Sequence, residues 1–71
     1  MSKEQLDHAT ERHRAEVRWC IRMGSDWFKG WIKRVAERRS EDAACRLRED
    51  VRAQARLGNT GAAGEWKDET P

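Results

Sequence analysis

The side chains able to do reactive chemistry in this sequence are few: His8, His13, Cys20 and Cys45 are its whole stock of imidazoles and thiols. Such ligands hold zinc when they come in close pairs such as CxxC or HxxxH, because two of them must reach one ion from one loop or helix face. His13 and Cys20 are seven apart and share a helical face, but neither pattern accompanies them, so we expect no metal and no cofactor. A catalytic nucleophile needs a base within reach. Neither a Gly-rich phosphate loop nor a nucleophile elbow is present. The expectation is a protein that is not an enzyme.

The remaining chemistry is that of contact. Lys29, Lys33, Arg34, Arg38 and Arg39 stand against Glu37 in one short segment, and Trp19, Trp27 and Trp31 fall within thirteen residues. Tryptophan and arginine dominate binding hot spots. A concentrated positive field draws acidic proteins, phosphate or an anionic surface. The candidate partner-binding residues are therefore Trp19, Trp27, Trp31, Lys33, Arg34 and Arg38, the rings supplying affinity and the charges the association rate.

Against this stands the plain structural alternative, in which the aromatic face is bundle core and the basic face is hydrated. Trp19 points about 100° away from Cys20, outside the main apolar stripe; it either covers the edge of the second helix or stands as an exposed anchor. A nucleic-acid reading would use the same basic face together with Arg46, Arg48, Arg52 and Arg56, though Glu41, Asp42, Glu49 and Asp50 oppose those charges. A third reading is a homodimer in which the second helix packs against its mate.

These residues must be positioned by a small scaffold. With 71 residues, 39% charged against 37% hydrophobic, the chain makes one domain with a thin core and no large buried site. Ser2 with Gln5 fits a capping box, and Leu6, Ala9, His13, Val17, Cys20 and Ile21 recur at helical spacing, which predicts a helix over about 3–23. Its other face, Glu4, Asp7, Glu11, Arg14 and Arg18, reads as solvated, with Glu11 and Arg14 attracting each other across one turn.

Gly24-Ser25-Asp26 breaks the pattern, and Ser25 or Asp26 is expected to cap a second helix over about 27–39. Gly30, in the middle of that helix, costs about 1 kcal/mol relative to alanine and leaves room for another backbone. Ser40 is expected to cap a third helix over about 41–57, whose stripe of Ala43, Ala44, Leu47, Val51, Gln54 and Ala55 is narrow and which stops at Gly58-Asn59. The expected core is Leu6, Val17, Cys20, Ile21, Met23, Phe28, Trp31, Ile32, Val35, Leu47 and Val51.

Residues 58–71 shift to Gly, Ala, Thr and acids and read as a flexible acidic tail. The fold class is thus all-α, a small three-helix bundle over 1–57 with a disordered C-terminal tail. No apolar run approaches the ~20 residues needed to cross a bilayer, and no apolar segment follows the N-terminus as in a signal peptide. A cytoplasmic protein without a membrane partner is expected, its two cysteines reduced.

Three stretches carry a resemblance: Glu16-Val17-Arg18-Trp19, Leu47-Arg48-Glu49-Asp50-Val51, and Leu57-Gly58-Asn59 with Gly61, Gly64 and Trp66. Together they resemble an uncharacterised family of short proteins encoded by phages and prophages of proteobacteria. The likeness spans the latter two thirds of the first helix and most of residues 40–66, and its motifs carry no chemistry. It implies a phage accessory role, of the kind in which small proteins inhibit or adapt host machinery, including defence complexes. It transfers no functional residue.

Overall fold

The computed structural model describes residues 8–68 as three helices, α1 (His8–Met23), α2 (Ser25–Arg38) and α3 (Glu41–Arg56), followed by an irregular segment that returns across the bundle. The capping box at Ser2 and Gln5, and Leu6, lie outside the described residues. Val17, Cys20, Val35, Ala44, Leu47 and Val51 form the core, flanked by half-buried Ile21, Trp27, Phe28, Trp31 and Ile32. Each helix supplies the face that its sequence period assigns to the interior. No helix among the described residues is long and apolar enough to cross a membrane.

The joins follow from local chemistry. Gly24 adopts φ 95° and serves both helices: its N–H donates to the Cys20 carbonyl, and its carbonyl accepts from Phe28 N–H at 3.0 Å. Because one residue makes this turn, Ser25 falls inside α2 and neither it nor Asp26 caps the helix, contrary to the sequence reading; Gly24 occupies the cap position without a side-chain bond. Ser40 caps α3 as expected, its Oγ accepting from Ala43 N–H at 3.0 Å. At the far end Gly58 takes φ 95°, its N–H donates to the Ala55 carbonyl and that of Asn59 to the Gln54 carbonyl, the paired bonds of a Schellman stop.

Two parts of the expected core and tail differ. Met23 is 44% exposed because it is the last residue of α1, where the chain has already begun to turn. Residues 58–68, expected as part of a flexible tail, instead lie along the bundle; residues 69–71 lie outside the described residues. Gln54, on α3, is the clasp. Its Nε2 donates to the Lys67 carbonyl at 2.7 Å, while its Oε1 accepts from Lys67 N–H and from Asn59 Nδ2. Asn59, 4% exposed, also donates to the Glu65 carbonyl and accepts from Gly61 N–H at 2.8 Å.

This strap covers the face of α1 that the sequence assigns to water. Arg18 is buried, donating to the Glu65 carbonyl and to the Glu11 carboxylate at 3.0 Å. Arg14, rather than pairing with Glu11, lies over the Trp66 ring at 4.8 Å. Gly61, at φ 86°, fits so closely that a Cβ there would stand 2.6 Å from the Arg18 carbonyl oxygen. Glu65 folds the strap's own turn by accepting from Thr60 and Ala62, bonds that hold its carboxyl below the ordinary value. The resemblance-bearing residues Val17, Arg18, Leu47, Val51, Gly58, Asn59, Gly61 and Trp66 thus meet in the core and under the strap, as architecture.

Candidate functional site

The three tryptophans meet at one edge of the molecule, where α1 faces α2. Trp27 and Trp31, one turn apart, stack at 5.3 Å and 15°, and Trp19 from α1 meets them edge-on at 4.6 and 5.4 Å. Such offset and edge arrangements suit the ring quadrupoles, at about 0.5–1.5 kcal/mol per pair beyond their burial. Trp19 does both things the sequence left open: it covers the edge of α2 and remains 38% exposed. Trp27 and Trp31 are half-buried against the core.

Helical spacing places Trp27, Trp31, Arg34 and Arg38 in one row along α2, at successive steps of four, three and four residues. Arg34 and Arg38 are exposed. With Trp31, Val35 and Arg39 they line a shallow concavity of about 190 Å³. A second concavity, of about 660 Å³, opens on the other side of Arg39 and includes Arg12, Glu16 and Trp19. The surface therefore joins the exposed ring of Trp19 to Arg12, Arg34, Arg38 and Arg39. Lys33 is exposed but stands off this row, toward the Lys29 side of α2, and lines neither concavity. Arg34 and Arg38 have no ion-pair partner among the described residues.

Glu16 locks this edge, and the sequence reading missed it. Its carboxylate accepts the Trp31 indole N–H at 2.9 Å and two bonds from Arg39 at 2.9 and 3.0 Å. The signal was present: a half-buried indole requires an acceptor, and Glu16 sits between His13 and Cys20 on the inward side of α1. Burial pushes the Glu16 carboxyl up, but the bonds from Arg39 and Trp31 and the charges of Arg39 and His13 outweigh it and hold the carboxyl below its usual 4.5.

A depressed carboxyl gives stability that is complete above its unfolded value and is lost as pH falls through its folded value. Acid titration of the wild type should therefore show the melting temperature falling from about pH 4.5 downward, with a change in tryptophan fluorescence. Glu16→Gln should flatten that limb. An unchanged acid limb in the variant would remove Glu16 from this role.

His13 is not isolated; its Nε2 lies 2.6 Å from Asp50 Oδ2 and ties α1 to α3. No group of three or more His, Cys, Asp or Glu residues suited to a metal occurs among the described residues. Both cysteines are free thiols. Burial, with a smaller push from the Glu16 charge, raises the Cys20 thiol to about 12, while Cys45 is half-exposed, beside Glu49 and Arg48. Since the thiolate is the reactive form, Cys20 should carry roughly a thousandfold less of it than an ordinary thiol at neutral pH. A thiol titration of native protein at pH 8 should count one rapidly reacting cysteine, and two after denaturation. Equal native rates for both would contradict the sealed core.

The chain matches no family model, no curated protein and no solved structure.

Proposed function

We propose that this chain is a small phage-type accessory protein that binds a bacterial host protein or complex and alters its activity by occupying a surface. The observation carrying this reading is the row in which half-exposed indoles run directly into unpaired Arg34 and Arg38. Aromatic rings rimmed by arginine are the composition of a binding hot spot. The resemblance drawn from the sequence supplies the phage setting and the inhibitor or adaptor role.

Gly30 supports the same placement. It lies beside Trp27 and Arg34 on the outward side of α2, and nothing stands within 4 Å of the position its Cβ would take. No internal packing explains a glycine there, at a cost of about 1 kcal/mol to the helix. A bare stretch of helix beside the tryptophans lets a partner's backbone approach closely.

Differential capture tests the reading. Wild-type protein used as bait in proteobacterial lysate should recover a partner that a Trp27→Ala, Arg34→Ala variant loses, with both baits verified as folded. Recovery of the same proteins by both baits would refute it. Binding that is confined to nucleic acid and collapses steeply between about 50 and 200 mM salt would assign the basic face to phosphate instead.

A further inference from the structure

On the other side of α2, away from the tryptophans, a groove of about 490 Å³ opens between α2 and α3. Its floor is apolar: Ile21, Phe28 and Ile32 are half-buried there and Val51 closes the bottom. Its walls run from Gly24 to Ile32 on one side and from Arg48 to Ala55 on the other, each about two helical turns or ~11 Å long. That length and shape suit a helix laid in the groove and presenting side chains at i, i+3, i+4 and i+7.

The charges select the kind of helix. Lys29, Arg48 and Arg52 line the groove and no carboxylate does. Lys29 and Arg52 have no ion-pair partner among the described residues, although Glu11, Glu16, Asp50 and Glu65 are each paired elsewhere. Arg48 adds an independent observation: its Nε is buried with no hydrogen-bond partner among the described residues. Its Nη2 makes only a 3.7 Å contact with Cys45 Sγ. An unused Nε–H beside a weakly used Nη2 on a half-buried arginine is the fork that a carboxylate fills with two parallel bonds.

We infer that this groove docks an acidic amphipathic helix of another protein, apolar side chains on Ile21, Phe28 and Ile32 and a carboxylate on the Nε and Nη2 edge of Arg48. A flat membrane does not fit a concave floor, and a phosphate backbone leaves the apolar floor uncovered. Because Phe28, Ile32 and Lys29 lie roughly 100–200° around α2 from Trp27, by about 100° per residue, and the groove shares no lining residue with the two concavities of the tryptophan edge, this site is separate from that edge. Both can be filled at once, which makes the chain an adaptor between two proteins.

The probe is a blocked helical peptide with leucines at i, i+3, i+4 and i+7 flanked by glutamates, titrated into the full chain and followed by NMR. Its counterpart carries lysine at every glutamate. The acidic peptide should shift the Phe28, Ile32 and Val51 signals and the Arg48 Nε–H resonance, and bind at least about tenfold more tightly than the lysine peptide. Arg48→Met should cut that preference severalfold and remove the shift at the Arg48 Nε–H, with Lys29 and Arg52 left to hold the remainder. Lys29→Glu with Arg52→Glu, both exposed and therefore safe for folding, should reverse it.

Arg34→Glu with Arg38→Glu, at exposed positions that do not line the groove, should leave peptide affinity unchanged, so failure here is distinguishable from failure of the tryptophan edge. Equal binding of the two peptides, shifts mapping to Trp19 and Trp31, or preference retained in the double charge reversal would overturn the assignment. So would the same groove signals moving with protein concentration alone, which would give the groove to a second copy of this chain.

Discussion

Asn59→Ala should lower the stability of the chain by about 2–3 kcal/mol, a fall of roughly 10–20 °C in melting temperature for a domain of this size. The side chain is buried and makes three bonds: to the Gln54 side chain, to the Glu65 carbonyl, and from Gly61 N–H. Alanine removes all three bonds and leaves the buried Gly61 N–H without an acceptor, while Gln54 Oε1 keeps Lys67 N–H and the Glu65 carbonyl keeps Arg18; the space is too tight for easy repair, because Gly61 already sits against the Arg18 carbonyl. Gly61→Ala should be similarly costly, since it combines a left-handed backbone with that clash. A thermal melt of each variant checks this. A melting point within about 2 °C of wild type for Asn59→Ala would mean that the strap contributes nothing.

The other large effect concerns association. Arg34→Glu with Arg38→Glu removes two exposed, unpaired cations, so folding stability should stay within about 0.5 kcal/mol. Binding to the partner should fall by two to three orders of magnitude, because charge reversal against a complementary surface costs several kcal/mol. Trp19→Ala should cost at least about 2 kcal/mol of affinity, roughly thirtyfold, as loss of a hot-spot ring does. It should disturb the fold less than Trp27→Ala, whose ring is packed against the core. Calorimetric titration of each variant with the captured partner measures both effects, and affinity unchanged in the double reversal would move the contact off this row.

The helices were legible because their signals are local. Apolar spacing in α1 and α3, Gly24 at one turn and Ser40 at the other specify element order and the inward faces without knowledge of the neighbours. The cap at Ser25 or Asp26 was misread because both residues have the right chemistry, and only the one-residue turn at Gly24 decides that the helix has already begun. The strap was hidden for a different reason. Gly, Ala and Thr over 58–64 match the composition of a free segment, yet Gly58 and Gly61 are there for positive φ, Asn59 for the bonds that fold the strap, and Gln54 for those that tie it back to α3. A clue did exist: Gln54 is an amide within an apolar stripe, and such a group requires fixed partners.

The candidate surface was legible to a similar depth. A helical wheel sets Trp27, Trp31, Arg34 and Arg38 in one row, but it cannot show that Trp19 reaches across from α1 or that Glu16 and Arg39 brace Trp31 from below. Lys33 belongs to the expected charged rim, although a helical wheel sets it with Lys29 and Glu37 opposite the aromatic side, and it lines neither concavity. The groove between α2 and α3 was beyond sequence reasoning, because its floor exists only where side chains from all three helices converge.

Gly30 offers the most direct test of the tryptophan edge as a contact surface, since open space around it accommodates a photoreactive side chain. With p-benzoylphenylalanine in place of Gly30, irradiation in the presence of bacterial lysate should yield a covalent adduct with a specific protein. The same group in place of Arg46, exposed on α3 and lining neither concavity of that edge, should yield none. Adducts of equal yield from both positions, or none from position 30, would contradict a docking surface on this face of α2.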